Sequence, residues 1–338
     1  RPAAAAADAT GIYIAGSVQS AEDVRMRRWA VIKLDASGAV AWSAIEELPR
    51  SPAPERILLA NGAVVVAGQD EQHEAARLLV IERRDAATGK RTWQRRFTAR
   101  DAKCTTPGCA GKDTFGGIAL RGNSVLFNAT VDRPLEHAFG ELSLDKGTPA
   151  KRQVERSDLR AHDIAGDDTG MYLLEANLSK EPSLLKIGAE KIAWTHKVDG
   201  ERLALAPGAL LLWGKTIEKR SPETGEIAWA SKLAGDHIDV TVDGSGIYAT
   251  AMIDAKPSAY FGLAKIDAAS GAVQWVRKTS GYEENRPSAY VASDGKDAVY
   301  VVGVDGDKLY VERRRKIDGA LGEVQTTGRT IESKAKRK

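Results

Sequence analysis

The chain has 338 residues, of which 43% are hydrophobic and 28% are charged, and its formal net charge is +3. This composition is typical of a folded globular protein and excludes wholesale disorder. The small net charge argues against a dedicated nucleic-acid binder. The sequence contains no run of about 18 apolar residues, so it predicts no membrane-spanning helix.

The two ends of the chain differ in character. The chain starts at Arg1-Pro2 rather than at a methionine, which fits either a removed export signal or a truncated sequence. We expect 2–7 to form the inner strand of a first repeat unit. The segment 330–338 is predicted to be a basic tail that follows one domain spanning 1–329.

A hairpin motif recurs along the chain. An apolar strand ends near Asp, a short turn contains Thr or Ser and Gly, and the next strand contains Trp. The clear copies are Ile32–Trp42, Arg84–Trp93, Ser221–Trp229 and Ile266–Trp275, with weaker copies at Leu184–Trp194, Leu142–Gly147 and Lys316–Val324. Because Asp bonds its own turn and Gly supplies a positive φ, the motif predicts tight antiparallel hairpins.

A β-rich run precedes each copy of the hairpin. The seven runs are 11–16, 62–68, 124–129, 170–176, 208–213, 246–251 and 298–303. A spacing of about fifty residues leaves room for four strands per unit and is typical of propeller blades. We therefore predict an all-β fold, a seven-bladed β-propeller of four-stranded antiparallel blades, with no clear strand exchange between the termini. The best helical candidate is 22–29, where we expect a loop or a single helical turn.

The copy Asp85-Ala86-Ala87-Thr88-Gly89-Lys90-Arg91-Thr92-Trp93 resembles the blade motif of the PQQ-like bacterial propellers. That family includes quinoprotein dehydrogenases and the propeller lipoprotein of the outer-membrane barrel assembly machine. The resemblance implies an exported protein that is periplasmic, outer-membrane-associated or extracellular. It also implies that an enzyme of the family would have eight blades, a vicinal disulfide and calcium-binding carboxylates. This chain lacks adjacent cysteines, so we expect the non-enzymatic branch, with no catalytic residue, metal or cofactor.

The two cysteines, Cys104 and Cys109, flank a Pro-Gly turn. We expect a small disulfide formed in an oxidising compartment, and two free thiols in a cytosolic protein are the alternative. A zinc site would need two further ligands and a covalent haem a Cys-x-x-Cys-His run, and neither pattern is present.

Long connections are predicted on one face of the propeller, because the Asp-Gly turns at the other end are uniformly short. The long connections are 17–28, 46–54, 69–77, 99–116 and 279–287. Rigid scaffolds present recognition groups on such loops. We expect partner binding by the basic residues around the cysteines, which are Arg96, Arg100, Lys103 and Lys112. A solvated charged surface is the alternative.

Acidic residues and histidines stand near the starts of the inner strands. They are Glu55, Asp113, His162, Asp163, Asp236 and His237. In a closed propeller they would approach the channel mouth, where carboxylates and imidazoles suit a cation or polar ligand. The alternative is that they hydrogen-bond to the backbone and lock neighbouring blades together.

We expect a protein-binding or scaffolding module that acts through its long-loop face, within a cell-envelope or surface assembly. An anionic glycan remains a second class of partner, nucleic acid is not expected, and membrane association would be peripheral or through a lipid anchor. The competing interpretation is a glycan- or ligand-binding propeller, or a PQQ-type enzyme that uses the channel mouth.

Overall fold

The computed structural model describes residues 1–19, 27–46, 51–73, 76–98, 113–131, 136–156, 160–177, 180–188, 191–231, 233, 235–253, 260–279, 289–305 and 308–327. Within these residues the chain forms seven sheets, each of four consecutive antiparallel strands, and no helix. The predicted seven-bladed propeller is confirmed. No described segment is a helix of the length and apolarity that crossing a membrane requires.

We number the blades 1 to 7 in chain order. Blade 1 contains β1 (Pro2–Asp8), β2 (Gly11–Gln19), β3 (Arg27–Asp35) and β4 (Val40–Glu46). Blade 2 contains β5 (Ser51–Ala60), β6 (Ala63–His73), β7 (Ala76–Asp85) and β8 (Arg91–Phe97). Blade 3 contains β9 (Thr114–Arg121), β10 (Ser124–Val131), β11 (Glu136–Ser143) and β12 (Pro149–Arg156). Blade 4 contains β13 (Arg160–Asp167), β14 (Gly170–Asn177), β15 (Lys180–Ile187) and β16 (Ile192–Lys197).

The remaining blades repeat the pattern. Blade 5 contains β17 (Gly200–Ala206), β18 (Ala209–Gly214), β19 (Ile217–Arg220) and β20 (Ile227–Ala230). Blade 6 contains β21 (Asp236–Asp243), β22 (Gly246–Ile253), β23 (Tyr260–Ile266) and β24 (Val273–Lys278). Blade 7 contains β25 (Tyr290–Ser293), β26 (Ala298–Asp305), β27 (Lys308–Arg315) and β28 (Leu321–Thr327).

The ring closes by packing between blades 7 and 1. The inner strand of blade 1 is β1, as predicted from 2–7, and the sheet of each of these blades contains only its own four strands. Ile12 and Ile14 of β2 share one buried cluster with Tyr300 and Val302 of β26. The described termini therefore meet through apolar side chains rather than through an exchanged strand.

The helical candidate at 22–29 is partly wrong. Residues 20–26 lie outside the described part of the chain, but Arg27–Asp35 is strand β3. Trp29 is fully buried there and donates its indole N–H to Oε1 of Glu82 in blade 2, at 2.9 Å. The segment forms a strand rather than a helical turn because the Trp29 indole fills the space between two blades.

The Asp-Gly turns form the predicted hairpins. In blade 2, Oδ1 of Asp85 accepts hydrogen bonds from the backbone N–H and the hydroxyl of Thr88, at 2.8 and 2.7 Å. Gly89 then adopts a φ of 71°. Because antiparallel strands alternate in direction, these turns and the β1–β2-type turns of every blade lie at one end, which we call the short-turn face. All other connections leave from the opposite end, the long-loop face.

Five of the seven seams between neighbouring blades contain a tryptophan from the fourth strand of the preceding blade. Each indole lies over a positive-φ glycine in the last turn of the next blade, in the pairs Trp42 and Gly89, Trp93 and Gly147, Trp194 and Gly225, Trp229 and Gly271, and Trp275 and Gly319. A Cβ on Gly89 would lie 2.6 Å from the Trp42 ring, so only glycine fits. The ring thus has a repeated device that joins adjacent blades.

Candidate recognition face and channel mouth

The channel mouth is built from bulges in the inner strands. The register shifts between Pro54 and Arg56 in β5, between Ala161 and Asp163 in β13, and between His237 and Asp239 in β21. A bulge re-aims the residues beside it. The bulges lie near the start of each strand, so these side chains gather at the long-loop end of the channel.

An ion pair spans the channel. Nη2 of Arg56 in blade 2 lies 3.3 Å from Oδ2 of Asp163 in blade 4, and both side chains are largely buried. Blades 2 and 4 are not neighbours, so this ion pair reaches past blade 3. Asp163 also accepts the backbone N–H of Leu203 in blade 5, at 3.1 Å. Burial raises the pKa of Asp163, and the positive charge of Arg56 opposes that shift.

Two further carboxyl groups share this environment. Oδ2 of Asp239 in blade 6 accepts the backbone N–H of Val291 in blade 7, at 2.9 Å. Burial raises the pKa of Asp239 to about 7, with Arg56 opposing the shift and Asp163 adding to it. Burial likewise raises the pKa of Glu55 to about 7 against the charge of Arg56. Near neutral pH the mouth therefore exchanges protons.

The other predicted mouth residues have separate environments. The side chain of His162 reaches solvent. Part of its ring is shielded by the protein, and this desolvation lowers the pKa of His162. Asp113 is buried just before β9. Asp236 is exposed at the start of β21, and the side chain of His237 lies outside the described part. No group of three or more His, Cys, Asp or Glu in the described residues is arranged to hold a metal ion.

Sequence reasoning missed Arg56 and Asp239. A signal for Asp239 was present, because Asp239-Val240 in β21 repeats the pattern of Asp163-Ile164 in β13, two blades earlier, each directly after a bulge. Asp239 lies two residues after His237 on the same strand, and the assignment of Asp236 and His237 to the mouth stays a prediction. Arg56 had no comparable signal, since its partners come from blades 4 and 6.

The basic loop is only partly described. Arg96 donates a hydrogen bond from Nη2 to Oδ2 of Asp70, whose side chain is fully buried, while Arg96 itself is 27% exposed. This arginine neutralises a buried carboxylate, so its charge also supports the fold. Arg100, Lys103 and Lys112 lie outside the described residues, as does the predicted disulfide between Cys104 and Cys109.

A comparison with family models identifies the family of the chain. The family model described as outer membrane protein assembly factor BamB, PQQ_2, matches residues 159–335, just over half of the chain. The chain belongs to this family. The resemblance read from the blade motif is thereby confirmed. The comparison with curated proteins gives no match.

Solved structures share the fold at low identity. The WD40 propeller domain of Doa1 has a TM-score of 0.58 and 9% identity, with 89% of this chain and 88% of that chain covered. The quinohemoprotein alcohol dehydrogenase from Comamonas testosteroni has a TM-score of 0.53 and 12% identity, with 96% and 68% covered. BamB from Moraxella catarrhalis has a TM-score of 0.47 and 14% identity, with 89% and 93% covered. At these identities the first two matches support the propeller fold alone.

Proposed function

We propose that the chain is an exported, non-catalytic propeller that binds a protein partner of an outer-membrane assembly through its long-loop face. The observation that carries the proposal is the match of 159–335 to a family described by an assembly factor. We assign the protein to the periplasm, associated with the outer membrane. The β-propeller serves as a rigid scaffold, and its longer connections supply the contacts.

The distribution of charge supports this choice of face. The connection between β8 and β9 contains three basic residues, Arg100, Lys103 and Lys112, against two acidic ones, Asp101 and Asp113, which leaves a net charge of +1. Basic side chains on a loop speed the encounter with an acidic partner and select against basic ones. The partner we propose therefore presents an acidic surface.

Charge reversal tests the proposal. The double variant Arg100→Glu and Lys103→Glu should weaken capture of a stoichiometric protein partner from native envelopes at least about tenfold, and added salt should weaken the wild-type complex. Arg96 is left unchanged because it pairs with buried Asp70. The matched control is Lys90→Glu with Lys146→Glu, two exposed lysines in short-turn hairpins.

The outcomes separate the interpretations. Equal capture by the two double variants would contradict the assigned face. Retention on an anionic glycan without a protein partner would favour the glycan-binding alternative.

A second candidate function rests on the channel mouth. Oε1 of Glu55 is buried and has no hydrogen-bond partner within the described residues, and Nη2 of Arg56 has only its ion pair with Asp163. Such groups are costly to leave unsatisfied, which favours a polar small ligand. Native mass spectrometry of envelope-purified protein tests this. A bound mass that is lost in Glu55→Gln would support the ligand, and its absence in wild type would contradict it.

A further inference from the structure

The tryptophans divide the ring into two arcs. All seven tryptophans of the chain lie in five of the seven seams between blades. Those that join blades 1 to 3 are Trp29, Trp42 and Trp93. Those that join blades 4 to 7 are Trp194, Trp213, Trp229 and Trp275. The seam between blades 3 and 4 and the seam between blades 7 and 1 therefore contain no indole. We call blades 1–3 the first arc and blades 4–7 the second arc.

The seam between blades 3 and 4 contains polar contacts with unsatisfied atoms. Nδ2 of Asn128 in blade 3 donates to the carbonyl of Asp163 in blade 4 at 2.9 Å, and Nδ1 of His137 donates to Oε1 of Glu175. Oδ1 of Asn128 and Nε2 of His137 are buried and have no hydrogen-bond partner within the described residues. Leaving such atoms unsatisfied costs free energy, which offsets the gain from the bonds beside them.

The seam between blades 7 and 1 is incompletely packed. Ile12 and Ile14 of blade 1 share an apolar cluster with Tyr300 and Val302 of blade 7. At the short-turn end of this seam, a small cleft separates Ile12 and Tyr300 from the turn that begins at Asp35. Side chains beside a void lose dispersion contacts on that side. Both indole-free seams therefore carry a defect in addition to the missing ring.

The family match follows the same division of the ring. It covers residues 159–335, and blade 4 begins at Arg160. The matched part thus contains the whole second arc and no strand of the first arc. This change in sequence character at an indole-free seam is independent of the packing of that seam.

We propose that the ring consists of two cooperative arcs, which can separate and reclose at the two indole-free seams. In stacked repeats, stability is the sum of what each repeat contributes alone and what each interface with a neighbour adds. Partial opening then occurs where the interfaces contribute least. A single weak seam would leave a closed ring undivided, whereas two weak seams separate it into two arcs.

The channel mouth lies between the two arcs. Arg56 belongs to the first arc, and its ion pair at 3.3 Å is with Asp163 of the second arc. Asp239, whose ionisation Arg56 also influences, belongs to the second arc as well. Separation of the arcs breaks this ion pair and dismantles the mouth. A molecule that binds across the mouth would hold the arcs together, because it binds only the closed ring.

Hydrogen exchange of the full chain tests this division. We would follow β2 and β10 of the first arc and β14 and β26 of the second arc by mass spectrometry, in urea below the global transition. Trp93→Ala should accelerate exchange in β2 and β10 at least about tenfold, although β2 lies outside the two blades that Trp93 joins. Exchange in β14 and β26 should stay within about twofold of wild type, although their blades adjoin the first arc.

Trp229→Ala is the matched variant in the second arc and should give the reverse pattern. Equal acceleration of all four strands by either variant would show one cooperative ring and overturn the proposal. Acceleration confined to the two blades beside the substituted tryptophan would also overturn it, because the blades would then open singly. If an alanine variant does not fold, Trp93→Phe and Trp229→Phe supply the same comparison, since each removes only part of the indole.

Discussion

At the scale of the residue, three carboxyl groups of the channel mouth share the cation of Arg56. Arg56 faces Asp163 and influences the ionisation of Glu55 and Asp239, so a single guanidinium serves three carboxyl groups from blades 2, 4 and 6. Desolvation outweighs this attraction for each of them, and their pKa values are raised. The cluster is therefore most favourable when some of its carboxyl groups are protonated.

Asp239→Asn tests that balance. Because the pKa of Asp239 is raised to about 7 in the folded state, its stabilising contribution is fully present below the unfolded pKa of about 4 and is lost as pH rises through about 7. Asparagine keeps an acceptor for the N–H of Val291. We expect the free energy of unfolding of the variant to exceed that of wild type by ~1–2 kcal/mol at about pH 8, and the two to differ little at about pH 4.

The matched control is a variant whose stability should change with pH in the opposite direction. Hydrogen bonds from Ser270 lower the pKa of Asp267, which lies in an exposed turn, so Asp267→Asn should lose stability at high pH and not at low pH. Urea unfolding across this pH range measures both variants. Parallel curves for wild type and Asp239→Asn would contradict the raised pKa.

At the scale of the element, the last hairpin of a blade also forms the contact with the preceding blade. The indole N–H of Trp275 donates to the carbonyl of Lys316 at 3.2 Å, and Gly319 has a φ of 68° beneath the ring. A Cβ on Gly319 would lie 2.9 Å from that ring and 2.7 Å from Cγ of Arg277. Gly295 provides a comparison, with a φ of 72° and open space around its Cβ position.

Substitutions separate the cost of backbone strain at a positive-φ glycine from the cost of the clash with the indole. Trp275→Ala should lower the free energy of unfolding by ~3–5 kcal/mol, because the indole is buried. Gly319→Ala should cost more than Gly295→Ala, which bears only the backbone strain of about 1 kcal/mol. In the Trp275→Ala background the extra cost of Gly319→Ala should shrink, because only the flexible side chain of Arg277 still lies close to the new Cβ. Denaturant titrations test this, and purely additive effects at Gly319 would show that the ring does not impose the glycine.

Sequence reasoning succeeded where the physics is local. Asp85, Thr88 and Gly89 form their turn from neighbours in the chain, so the hairpins and hence the blades were readable. The channel ion pair joins residues 56 and 163, and no local pattern encodes that distance. The reading of 22–29 as a loop or helical turn overlooked Trp29, which is placed by Glu82 of the next blade.

At the scale of the whole molecule, the two faces of the ring carry different structural features. Every blade begins at the long-loop end, so the bulged inner strands and the long connections share that face. The short-turn face carries the repeated glycine turns that join the blades. Under the proposed function, substitutions of exposed loop residues at the first face should weaken partner binding and leave the glycine turns of the second face intact.

Photo-crosslinking in native cell envelopes tests the central claim most directly. A photoreactive amino acid would replace Thr106 or Tyr282 in long-loop connections, and Lys90 or Thr224 in exposed short turns. We predict that Thr106 and Tyr282 crosslink to one common envelope protein and that Lys90 and Thr224 do not. The same product from Lys90 and Thr224, or none from Thr106 and Tyr282, would contradict the assigned binding face.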